Sequence, residues 1–114
     1  MNRVDELQAI IDGADADHAA VALVELGLVH QDADRPDLAE AAYLRVIGSG
    51  HEGQAPRAAF ELAQLYEAHG DAEGAREAYR IVLESGGHGL VGPAVCGMRR
   101  LAGRPDIPAG PDGG

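Results

Sequence analysis

The strongest constraint on this chain is that it repeats itself at a spacing of 36 residues. Residues 22–50 (ALVELGLVHQDADRPDLAEAAYLRVIGSG) lie over residues 58–86 (AAFELAQLYEAHGDAEGAREAYRIVLESG) with nine identities in 29 positions. Among them are Ala22/Ala58, Glu25/Glu61, Leu26/Leu62, Ala39/Ala75, Ala42/Ala78, Tyr43/Tyr79 and Val46/Val82. Most differences exchange one apolar residue for another, as at Val24/Phe60, Val29/Leu65 and Ile47/Leu83. A fixed period of this size belongs to stacked supersecondary units, none of which can bury its apolar face alone. Glycine and proline collect between the apolar stretches, which favours helices over strands. The expected fold is all-α, an array of antiparallel helix-turn-helix units.

Taken in order, the chain predicts about six helices, over 3–12, 18–31, 36–47, 56–69, 72–84 and 93–102. The first sets Val4, Leu7, Ile10 and Ile11 on one side. A shift of 36 residues places Leu7 on Tyr43, so this helix reads as the second half of a unit and caps the array. Asp15 or Asp17 is expected to cap the next helix, which is apolar almost all round and should be buried on more than one side. Asp34 is the expected cap of the third, with Pro36 in its first turn, where a missing N–H costs little. That helix is expected to turn Leu38, Ala41, Ala42, Leu44, Val46 and Ile47 inward around Tyr43. In the second unit Gly70 fits a left-handed helix end and Asp71 the cap that follows. The repeats then run over about 19–54 and 55–90 within a domain of residues 1–102, with half-repeats 3–12 and 93–102 at its ends. The Pro- and Gly-rich tail, 103–114, is expected to be disordered.

Charge narrows the partners. The formal net charge is −10, and all nine basic residues are arginine. Nucleic acid and anionic membranes need a basic face, so neither is an expected partner. Arginine without lysine, beside abundant alanine and glycine, suggests a GC-rich bacterial genome. The single cysteine, Cys96, excludes an intramolecular disulfide, and a reducing compartment is the default. The first ten residues lack the apolar run of a secretion signal, and no later run is long enough to span a bilayer. A cytoplasmic setting is the expectation.

The order of residues within the repeat resembles the tetratricopeptide repeat. Ala59, Leu62, Ala63, Tyr66, Ala75, Tyr79 and Val82 meet that pattern in the second unit, and Leu23, Leu26, Gly27, His30, Ala39, Tyr43 and Val46 stand at the same places in the first. The resemblance covers about Arg3 to Leu101. His30 replaces the usual aromatic, neither unit has the usual proline after its second helix, and the period is two residues longer than the usual 34. A long inter-repeat loop, Ser49–Gln54, accounts for the extra length. Sel1-like repeats are the nearest alternative, but their second glycine-containing turn is absent.

The resemblance implies a short right-handed α-solenoid whose first helices line a concave groove for an extended or helical peptide. Carried over place by place, the groove residues are Val24, Leu28 and Gln31, then Arg57, Phe60, Gln64 and Glu67, and last Cys96 and Arg100. Val24, Leu28 and Phe60 would form an apolar patch there, unless the last helix or the tail covers them. The family's clamp for a C-terminal carboxylate needs Lys and Asn where Val24, Leu28, Phe60 and Gln64 stand, so that specificity is not expected. The function implied is a protein- or peptide-binding adaptor or scaffold. Two alternatives stand beside it: a homodimer stacked through Leu7, Ile10 and Ile11 or through Val95 and Met98, and a regulator that binds a small molecule.

The remaining candidates read more plainly as structure. Histidines 18, 30, 51, 69 and 88 match no compact metal-ligand spacing. Asp32, Asp34 and Asp37 lack the central glycine and late glutamate of a calcium loop. Arg99 and Arg100 flank Cys96, but with Val95 and Met98 on the same helix a buried thiol is the expectation. No nucleophile–base pair or phosphate loop is visible, so neither an enzyme nor a cofactor is expected.

Overall fold

The computed structural model describes residues 2–13, 15–86 and 89–103. They form six helices: α1 (Arg3–Gly13), α2 (Ala16–Asp32), α3 (Pro36–Ser49), α4 (Ala55–Ala68), α5 (Ala72–Glu84) and α6 (Val91–Ala102). The expected tail, from 104 onward, lies outside the described residues. Each helix packs on the next in sequence, and α2 also touches α4. The result is an elongated body of 53 × 29 × 18 Å. Two hairpins, α2/α3 and α4/α5, are thus flanked by a single helix at each end.

The core follows helical periodicity. Ala39, Ala42, Tyr43 and Val46 on α3 are buried, and so are Ala75, Ala78, Tyr79 and Val82 at the same places on α5. This i, i+3, i+4, i+7 spacing puts one arc of each helix against its neighbours. Tyr43 and Tyr79 are the largest fully buried side chains, each removing about 150–250 Å² from water. As expected of an almost wholly apolar helix, α2 is packed by three others, α1, α3 and α4.

Each tyrosine needs room that a glycine supplies. A Cβ on Gly27 would lie 2.4 Å from Tyr43 Cε1, and one on Gly97 would lie 2.3 Å from Tyr79 Cζ. The two glycines are not repeat equivalents: Ala63 takes the place of Gly27 in the second unit, and Glu61 the place of Gly97 in the first. Tyr43 therefore packs on a glycine of the helix before it, and Tyr79 on a glycine of the helix after it.

The helix ends show why the chain reverses where it does. Asp15 caps α2 by accepting from the His18 N–H, and Asp71 caps α5 by accepting from the Gly74 N–H. Gly70 adopts φ +79°, while the Gly70 N–H donates to Glu67 O and the Asp71 N–H to Tyr66 O. These two bonds satisfy carbonyls that the last turn of α4 leaves open. The first turn corrects an expectation. Asp34 does not cap α3; Arg35 holds the N-cap place and makes no side-chain cap bond. Asp34 instead adopts φ +61°, with its N–H on Gln31 O and the Arg35 N–H on His30 O. It does the work of Gly70, and aspartate is among the few residues that tolerate this conformation.

Three apolar assignments also change. Leu38, Ala41 and Leu44 point away from the core; Leu38 is 50% and Leu44 47% exposed. At 100° per residue they lie opposite the arc held by Ala39, Ala42, Tyr43 and Val46. On α1, Leu7 and Ile11 are buried against α2 while Ile10 is 40% exposed. Terminal stacking through Leu7 and Ile11 is thereby removed, because those side chains already serve the core.

His30 stands where the second unit has Tyr66. It is 7% exposed, and its Nδ1 has no partner among the described residues. Burial, and then the nearby Arg35 charge, pull its pKa below the ordinary value. The folded state thus holds His30 neutral, and its contribution to stability is complete above the unfolded pKa of about 6.5. As pH falls below that value, the unfolded chain takes the proton first, and stability drops by at most about 1.4 kcal/mol per pH unit. Chemical denaturation at pH 7 and pH 5 should show this fall in the wild type and a smaller one in His30→Phe. Equal falls would place the pH dependence elsewhere.

Candidate functional site

The inner row of the array is formed by α2, α4 and α6. The contact between α2 and α4 joins its first half. An ion pair from Arg100 on α6 to Glu67 on α4 ties its second half. The nine residues expected to line a groove are on these three helices, but they do not form one uniform surface.

In the second half the polar side chains hold one another. Glu67 Oε1 accepts from the Tyr79 hydroxyl at 2.7 Å. Arg100 donates to both Glu67 oxygens, through Nε and Nη2, at 2.8 Å each. Arg100 Nη2 also donates to the Tyr79 hydroxyl at 3.2 Å. Burial chiefly, helped by Glu67, pushes the Tyr79 phenol up to about 12, so it stays a neutral donor. The Glu67 carboxylate in turn raises the Arg100 pKa and keeps that guanidinium charged. The first unit repeats the motif in simpler form: the Tyr43 hydroxyl donates to Gln31 Oε1 at 2.5 Å. Gln31, Glu67 and Arg100 therefore orient the core tyrosines. Phe60 is half-buried, its ring 6.0 Å from that of Tyr79 and tilted by 59°. Gln64 and Cys96 are exposed. The exposure of Cys96 corrects the expected buried thiol, because Ala94, Gly97 and Leu101 make the core face of α6.

The first half is open. Val21, Val24, Glu25, Leu28, Gln54 and Arg57 line an open surface cavity of about 400 Å³. Val24 forms its floor and is only 5% exposed, so it is not the free surface residue expected. Leu28 forms a half-buried wall, and Val21, 49% exposed, completes the apolar lining. Charges stand around it in pairs. Glu25 accepts from the guanidinium of Arg3, and Arg57 Nε donates to Glu61 at 3.2 Å. Val21, Glu25 and Gln54 were missed by the carry-over. Val21 lies one turn before Val24 and Glu25, so helical spacing alone could have found it. The arrangement suits an apolar side chain below and peptide-like polar groups at the rim.

Other concavities have walls whose polar groups serve the fold. One of about 220 Å³ is walled by Glu40, Tyr66, His69 and Asp71 among others. There the Tyr66 hydroxyl donates to Glu40, the His69 ring meets Leu65 O, and Asp71 caps α5. His18 and His51 pair with Asp15 and Asp17. Among the described residues no group of three or more His, Cys, Asp or Glu is placed to hold a metal ion. His88 lies outside those residues.

Paired helices stacked in sequence, tyrosines locked between units and an inner row of first helices define a helical-repeat solenoid. The chain belongs to the tetratricopeptide repeat family, whose sequence profile matches residues 24–89, more than half of its length. No curated protein and no solved structure matches the chain significantly. Repeats of this family generally mediate protein–protein interaction or scaffolding, and are typically not enzymes. Among the described residues no helix is long and apolar enough to cross a membrane.

Proposed function

We propose that the chain is an adaptor that binds a protein or peptide through the inner row, seating an apolar side chain of the partner over Val24 and Leu28. The observation that carries this is the open cavity between α2 and α4, whose apolar lining includes a half-exposed valine that the fold itself does not need. Gln54 and Arg57 at the rim supply donors for the carbonyls of an extended segment. The polar clamp around Tyr79 fixes α4 against α6 and so presents a preformed surface, which lowers the entropy lost on binding. No cofactor enters this reading, and nucleic acid remains unsuited to the acidic surface. An exposed cysteine with no partner is in keeping with a reducing, cytoplasmic setting.

The test is an affinity capture with three forms of the protein, each first shown to be folded by circular dichroism. Wild type should retain a partner that Val21→Glu/Leu28→Glu loses and Arg80→Glu, exposed on α5 and away from the cavity lining, keeps. Retention by the first variant would place the partner off the cavity and sink the proposal.

A further inference from the structure

We propose that the outer face of α3 is a second, self-complementary interface that pairs two copies of this chain antiparallel about Ala41. Asp37, Leu38, Ala41, Leu44, Arg45 and Gly48 form this face, and all six are exposed. They are placed symmetrically along the helix: a leucine three residues to either side of Ala41, and an acid and a base four residues to either side. In an antiparallel pair, each residue before Ala41 lies at the level of the equally spaced residue after it on the other copy. Asp37 of each copy is then level with Arg45 of the other, twice over, while four leucines surround two alanines small enough to let the helices approach. A parallel pair would oppose Asp37 to Asp37 and Arg45 to Arg45. The pattern thus specifies a two-fold partner in one orientation, as an isologous contact requires.

The second repeat separates this face from ordinary surface. The equivalent positions on α5 carry Glu73, Gly74, Glu77, Arg80, Ile81 and Glu84, so the repeat does not require leucines there. Neither Asp37 nor Arg45 has an ion-pair partner among the described residues, a state Arg45 shares with Arg35, Arg76 and Arg99, so both remain available to pair across the contact. A contact of one helix with one helix is smaller than the roughly 1,200 Å² of a standard interface, so the association is weak. The net charge of −10 on each chain opposes it further, and the two acid–base pairs offset that repulsion where the copies meet.

Sedimentation velocity across micromolar to millimolar concentration tests the proposal. Wild type should pass from monomer to dimer, and Leu44→Glu should stay a monomer with an unchanged helical spectrum. Asp37→Arg and Arg45→Asp should each weaken self-association by about tenfold through like-charge opposition. Mixed together, these two variants should form a heterodimer, because each presents the charges the other lacks. Wild type that stays monomeric throughout, a dimer that survives Leu44→Glu, or single variants that do not combine would each overturn it.

Discussion

Replacing Ala75 with arginine is expected to abolish the cooperative unfolding transition. Ala75 is fully buried on α5, at the place Ala39 holds in the preceding unit. Both are small because the repeat stacks its next helix there. An arginine would carry an unpaired charge into that contact, at a cost of several kcal/mol. The whole stability of a domain this size is about 5–15 kcal/mol. A thermal melt followed by circular dichroism should show a broad, shallow loss of helix in place of a sigmoid. A normal melt for Ala75→Arg would mean that the register of the repeat is wrong.

The second large effect is expected at Gly97. Its Cβ would meet the Tyr79 ring, which is fully buried and tied through its hydroxyl to Glu67, so it cannot swing freely. Gly97→Ala should cost about 1–3 kcal/mol, as overpacking of a tight core does. The first unit indicates a remedy. Around Tyr43 the glycine is on the preceding helix, at Gly27, and a full side chain, Glu61, stands at the place of Gly97. Ala63→Gly alone should be mildly destabilising, by about 0.5–1 kcal/mol. In the Gly97→Ala background it should recover stability, by giving the Tyr79 ring room on the α4 side as Gly27 gives Tyr43 room on α2. A double-mutant cycle by denaturant titration measures the coupling. Strict additivity would show that the two glycines are unrelated.

Much of this architecture was legible in the sequence because a repeat constrains each position twice. Tyr43 and Tyr79, Ala39 and Ala75, and the cap Asp71 follow from spacing and cap chemistry alone, while the cap of α2 is narrowed only to Asp15 or Asp17. Asp34 could not, since aspartate is both a good N-cap and a tolerable left-handed residue. Only its offset of 36 from Gly70 would have decided between them. Leu38 and Leu44 were assigned inward from hydrophobicity, although helical angle sets them opposite Tyr43. The division of the row α2, α4 and α6 into an open half and a clamped half is not legible in the sequence. That division depends on Arg100 reaching Glu67 across 33 residues, and no local pattern signals such a pairing.

The order of packing also fixes how the molecule responds to force. Apart from the touch between α2 and α4 and the Arg100–Glu67 clamp between α6 and α4, the packing among the described residues runs between successive helices. A chain knit in this way carries tension in series, with no strand pair sheared lengthwise to resist it. Pulled from its ends it is expected to yield by peeling from the ends of the stack, and each released helix can rejoin through contacts close in sequence. The array is a soft spring, whose stiffness grows with any partner that bridges α2, α4 and α6.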